Sequence, residues 1–150
     1  MKLSSEAFKP NGKIPTKYTC QGLDINPPLD ITDVPENTQS LALIMDDPDV
    51  PERIRKDRMW VHWVAFNIDP KTRNIKEGIP SLGIIGKNTG GMNRYMGPCP
   101  PDREHRYFFK LYALDRKLDL HEGATKEELL KTMEGHILAQ CELIGRFEKE

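Results

Sequence analysis

The sequence predicts a mainly β domain, a sandwich or a barrel. Two observations carry this. Short β-branched and aromatic runs alternate with turn residues, and 12 prolines and 11 glycines supply the punctuation. One stretch, opening at Thr125, also carries a helix start signal followed by apolar residues at helical spacing. The 150 residues fit a single domain over 1–150, long enough to bury a core without disulfides.

The strands follow from composition and period. Residues 41–45 (LALIM) are an unbroken apolar run, and 60–68 (WVHWVAFNI) are rich in aromatic and β-branched residues. Residues 107–114 (YFFKLYAL) form a third run, and 141–147 (CELIGRF) close the chain as a last strand. Between the last two, Thr125 and Glu128 have the spacing of a capping box. Leu129, Leu130 and Met133 then form an apolar stripe that Gly135 interrupts or ends.

Charge and cysteine content narrow the function. Lys plus Arg number 22 and Asp plus Glu 23, a formal net charge of -1, which excludes a whole-surface attraction to nucleic acid. Cys20, Cys99 and Cys141 are odd in number and far apart, which argues against a disulfide framework and against a thiolate zinc site. The opening MKLSSEAFKP lacks a signal-peptide apolar core, and no apolar run reaches the ~20 residues of a membrane helix. A cytoplasmic location is the expectation.

Polar groups sit oddly in three places. In residues 45–51 (MDDPDVP) an apolar strand runs into carboxylates, and in extended chain Asp47 and Asp49 share a face. An ordinary acidic turn is the alternative. His62 stands in a strand apolar on both faces, where alternation groups Trp60, His62, Val64 and Phe66 against Val61, Trp63 and Ala65. It is either a hydrogen-bonded core residue or part of a site. His105 and Tyr107 share one strand face, and Arg106 takes the other. Before them, the prolines of GPCPP (97–101) stiffen the loop and leave few amides, such as that of Cys99, in fixed directions.

Residues 47–51 (DPDVP), 60–67 (WVHWVAFN) and 97–115 (GPCPPDREHRYFFKLYALD), in that order, resemble the phosphatidylethanolamine-binding protein family, also called the Raf kinase inhibitor protein family. The match is to its bacterial and archaeal branch. Residues 14–31 and 123–145 extend the resemblance nearly end to end. It implies a two-sheet antiparallel β-sandwich with short helices, one near the C-terminus. It also implies a small cavity for phosphate-like or carboxylate anions, including phospholipid headgroups. By motif position that cavity falls on Asp47, Pro51, Trp60, His62, Cys99, Pro100, His105 and Tyr107, with Asp49 and Arg106 bracing it from behind.

The sequence departs from the family pattern at residues 88–95 (NTGGMNRY), where Thr89, Gly90 and Arg94 stand, and in a longer, basic link at 52–59. That link is either a solvated loop or a cationic rim that guides anions. In the cavity, an anion is expected between His62 and His105, with Asp47 paired to a histidine and raising its pKa; the alternatives are that Asp47 accepts the proton of a monoprotonated phosphate or faces the ammonium of an ethanolamine-like headgroup. A non-catalytic binding or regulatory protein is expected, without cofactor or metal. The alternative is a hydrolase using Asp47, His62, His105 and Cys99. Asp47, His62 and His105 match no metal-binding spacing. A kinase or protease partner and a homodimer are further implications of the resemblance.

Overall fold

A computed structural model describes residues 1–150. The strands are β1 (Lys2–Ser4), β2 (Leu29–Thr32), β3 (Ser40–Asp47), β4 (Trp60–Ile68), β5 (Asn74–Ile75), β6 (Ile84–Ile85), β7 (His105–Leu114) and β8 (Ile137–Phe147), with one α-helix, α1 (Lys126–Met133), between β7 and β8. They form two antiparallel sheets, three strands ordered β1-β2-β5 and five ordered β6-β4-β3-β7-β8. The expected two-sheet sandwich is therefore present.

Strand β3 lies at the centre of the larger sheet and is buried on both faces. Alternation sends Leu41, Leu43 and Met45 into the core between the sheets, against Leu29 and Ile31 of β2. Ala42 and Ile44 point the other way and pack with Leu129 and Met133 of α1. Two covered faces explain why 41–45 reads as a continuous apolar run rather than an alternating one. The capping box forms: the Thr125 hydroxyl accepts from the Glu128 N–H at 3.2 Å, and Glu128 Oε1 accepts from the Thr125 N–H at 3.1 Å. The helix stops at Met133, and Gly135 takes a φ of 79° that suits glycine. Leu130, placed in the apolar stripe by spacing, is instead exposed.

Two expectations need correction. Strand β4 does not alternate cleanly. Met45 pairs with Trp63 but Asp46 pairs with Val61, so His62 is the extra residue of a β-bulge. Beyond the bulge the faces exchange: Trp63 and Ala65 enter the inter-sheet core, while Val64 and Phe66 join Val61 on the helix side. The second correction concerns the cysteines. Cys20 and Cys99 form a disulfide across 79 residues, and Cys141 alone is free. Their wide separation in sequence hid a contact made by two loops. A persistent disulfide belongs to oxidising surroundings, so the cysteines give no support to a reducing compartment. No helix is long and apolar enough to cross a membrane.

Candidate anion-binding pocket

The end of β3 lies beside the start of β4 and the start of β7, because both pairings are antiparallel. Asp47, Trp60, His62, His105 and Tyr107 therefore meet at one end of the larger sheet. The loop at 96–101 closes over them and leaves a cavity of about 320 Å³. Of the eight binding residues expected from sequence, Asp47, Trp60, His62, Cys99, Pro100, His105 and Tyr107 line it. Pro51 does not. Its carbonyl oxygen accepts from the amides of Ile54 and Arg55, and its neighbours Val50 and Ile54 form the wall.

Met96, Gly97 and Pro101 also line the cavity and escaped sequence reasoning. Met96 does most there. Its sulfur accepts from Trp60 Nε1 at 3.3 Å, and its carbonyl oxygen lies 2.6 Å from His62 Nδ1. Gly97 is required by close approach, since a Cβ would stand 2.5 Å from Asp24 Oδ1 and 2.6 Å from the Tyr18 carbonyl oxygen. The Gly97 N–H donates to Asp24 Oδ1 at 2.7 Å, and the Tyr95 hydroxyl donates to the Tyr18 carbonyl at 2.8 Å. With the Cys20 N–H on the Pro98 carbonyl and the disulfide, these bonds pin the pocket wall to the 18–24 loop.

The titratable groups form two sets. In the first, His105 lies between two carboxylates: Nδ1 is 2.6 Å from Asp47 Oδ2, and Nε2 is 2.7 Å from Asp102 Oδ1. Burial pushes the Asp47 carboxyl up, against the pull of the His105 hydrogen bond and the Asp49 N–H. Asp47 thus pairs with a histidine as expected. Asp102 was not foreseen, although it stands three residues before His105 in the quoted motif. It occupies the nitrogen that an anion between the two histidines was expected to use. At Asp102 desolvation pushes up, but the His105 contacts together with the Arg103 N–H and charge hold the carboxyl below its ordinary value.

The second set is His62 and Tyr107. Burial drives the His62 imidazole down to about 4, against the partial support of the Met96 carbonyl. The His62 ring meets Tyr107 edge-on at 5.3 Å, and the His105 ring stacks on Tyr107 at 6.5 Å. The Tyr107 hydroxyl is fully buried and has no hydrogen-bond partner. Burial first, and the nearby Asp47 charge second, push that hydroxyl far above its ordinary range, so it stays protonated.

Asp49 turns away from the pocket to Arg106. The guanidinium grips both carboxylate oxygens, Nε to Oδ2 at 2.9 Å and Nη2 to Oδ1 at 2.8 Å, and the Arg106 N–H adds a third bond. Asp47 and Asp49 therefore engage neighbouring residues on opposite faces of β7, not a shared face. Arg94 stands outside the cavity, donating to the Tyr95 carbonyl. In the basic 52–59 link, Arg55 pairs with Asp57 and Arg58 with Glu52, while Ile54 alone reaches the pocket.

A family model described as phosphatidylethanolamine-binding protein matches residues 4–148. A UPF0098 protein of Chlamydia muridarum is 50% identical over 150 residues, covering all of both chains. One of Methanothermobacter thermautotrophicus is 47% identical and covers 99% of both. Among solved structures, the phosphatidylethanolamine-binding protein homologue CT736 of Chlamydia trachomatis superposes with a TM-score of 0.97 at 49% identity, covering 99% of this chain and 97% of that one. YbcL of E. coli, described as a member of the mammalian family, gives 0.87 at 25% identity, covering 99% and 98%. The family-model match runs through all three motifs whose residues build the pocket, so the chain belongs to the phosphatidylethanolamine-binding protein family.

Proposed function

We propose that the protein is a non-catalytic binding protein whose pocket takes a small anion, a phosphate-like group or a carboxylate, free or on a phospholipid headgroup. The observation that carries this is the Tyr107 hydroxyl, buried on a residue that lines the cavity and without a hydrogen-bond partner in the protein. Leaving such a group unpaired costs about 1–3 kcal/mol, so a polar occupant is favoured there. The family description and the printed description of CT736 support a headgroup-like ligand. In the disulfide form Cys99 has no thiolate to attack a substrate, which supports binding over hydrolysis. The test is an NMR titration with inorganic phosphate. Ring signals of His62 and Tyr107 should shift saturably, and unmoved signals at saturating phosphate would reject the site.

A further inference from the structure

Within the protein, His62 is hydrogen-bonded at one ring nitrogen, Nδ1, by the Met96 carbonyl oxygen. A carbonyl oxygen cannot donate, so the 2.6 Å contact from the Met96 oxygen places the ring proton on Nδ1. The other nitrogen, Nε2, makes no hydrogen bond within the protein and belongs to a ring that lines the cavity. In the neutral ring that nitrogen is a bare acceptor. The imidazole holds this neutral form because burial opposes its charge. His105 cannot supply the missing donor, since Asp47 and Asp102 take both its nitrogens.

The charged groups around His62 sharpen the point. Asp46 and Asp47 come from β3, His105 from β7, and Asp24 from across the 18–24 loop. Lys110 and Lys126 pair with Asp46, and Arg94 faces Asp24, so the carboxylate that an anion meets in the cavity is Asp47, beside the lone pair of Nε2. A ligand that brings its own O–H meets an acceptor at Nε2 and a hydroxyl donor at Tyr107.

We infer that the pocket selects anions that carry a proton, with a phosphate O–H donating to His62 Nε2 and an ionised phosphate oxygen accepting from the Tyr107 hydroxyl. The ligand class is a phosphate monoester or inorganic phosphate in its singly ionised form. A phosphodiester headgroup has no O–H on phosphorus and fits this atom less well. This inference rests on the reading of the pocket as an anion site, and the experiment separates the two.

Binding of inorganic phosphate, methyl phosphate, dimethyl phosphate and sulfate to the full chain is measured by calorimetry. The measurements are made at about pH 6, near the second ionisation of a phosphate monoester, and repeated at about pH 8. Sulfate matches phosphate in size but is doubly ionised, dimethyl phosphate matches the single charge but is larger, and neither has an acid proton. Phosphate and methyl phosphate should bind at least about tenfold tighter than either, because a site built around a ligand O–H rejects analogues that lack it. Their affinity should fall from the lower to the higher pH. Sulfate binding within about twofold of phosphate at both pH values would overturn the inference and leave the anion site standing. Preferential binding of dimethyl phosphate would also overturn it, in favour of a diester headgroup. Binding of none of the four would overturn the inference together with the reading of the pocket as a phosphate site. An independent readout is the ¹⁵N shift of His62 Nε2 in the phosphate complex. A bare-acceptor signal, hydrogen-bonded but not protonated, is expected, and an imidazolium signal contradicts the inference.

Discussion

Asp47 and His105 join the ends of two neighbouring strands through a 2.6 Å hydrogen bond, with the imidazole 1% and the carboxylate 4% exposed. The bond links β3 to β7 just where the pocket opens. Removing one partner leaves a buried polar or charged group unpaired. Asp47→Ala is therefore expected to destabilise the fold by about 3 kcal/mol, read as a lower urea midpoint at unchanged slope. A midpoint within error of the parent would show that the pair contributes nothing.

His62 sets a pH dependence of stability. In the unfolded chain its ring takes a proton as pH falls through 6.5, but in the folded chain only near 4. Between those values the unfolded state binds more protons, so stability falls with pH. The contribution is complete above about pH 6.5, is lost progressively toward pH 4, and totals about 3 kcal/mol. Asp47, pushed up by burial, titrates in the opposite sense. Comparison with His62→Gln isolates the histidine: the variant should show a flatter stability profile between those pH values. An unchanged slope would place the acid sensitivity elsewhere.

The Cys20–Cys99 disulfide closes a long loop and tethers the pocket wall. Both cysteines are exposed, so an added dithiol can reach the bond. Reduction, or Cys20→Ser, should cost about 2–4 kcal/mol through loss of the unfolded-state constraint. Phosphate affinity should weaken with it, because the wall then depends on its few hydrogen bonds to the 18–24 loop. Thermal melts and calorimetry with and without dithiothreitol read both effects. Equal affinity in the two states would show that the wall needs no tether.

The 52–59 link carries Arg53, Arg55, Lys56 and Arg58 against Glu52 and Asp57, and two of its cations are already paired. Neutralising all four should slow phosphate association at low salt by less than about tenfold and have little effect at high salt. Stopped-flow rates at two ionic strengths test this. A change in dissociation rather than association would place the link in contact with the ligand.

Much of the pocket was legible because strand alternation is local. His105 and Tyr107 face the pocket together and Arg106 faces away, as a period of two requires. The faces of β4 were misread because one bulged residue, His62, reverses the parity from Trp63 to Phe66, before a second register shift returns Ile68 to the inter-sheet core. Pairing of distant cysteines, the Met96 carbonyl on His62, and Asp102 on His105 depend on how loops dock. No local period encodes that docking. The Asp102 contact had one sequence signal, its spacing of three residues from His105, but spacing in a loop does not fix direction.

The most direct measurement is a crystal structure of the protein grown in phosphate. One phosphate should sit in the pocket with oxygens about 3 Å from both His62 Nε2 and the Tyr107 hydroxyl. A pocket holding only water at saturating phosphate, or phosphate bound solely elsewhere on the surface, would contradict the assignment of the site.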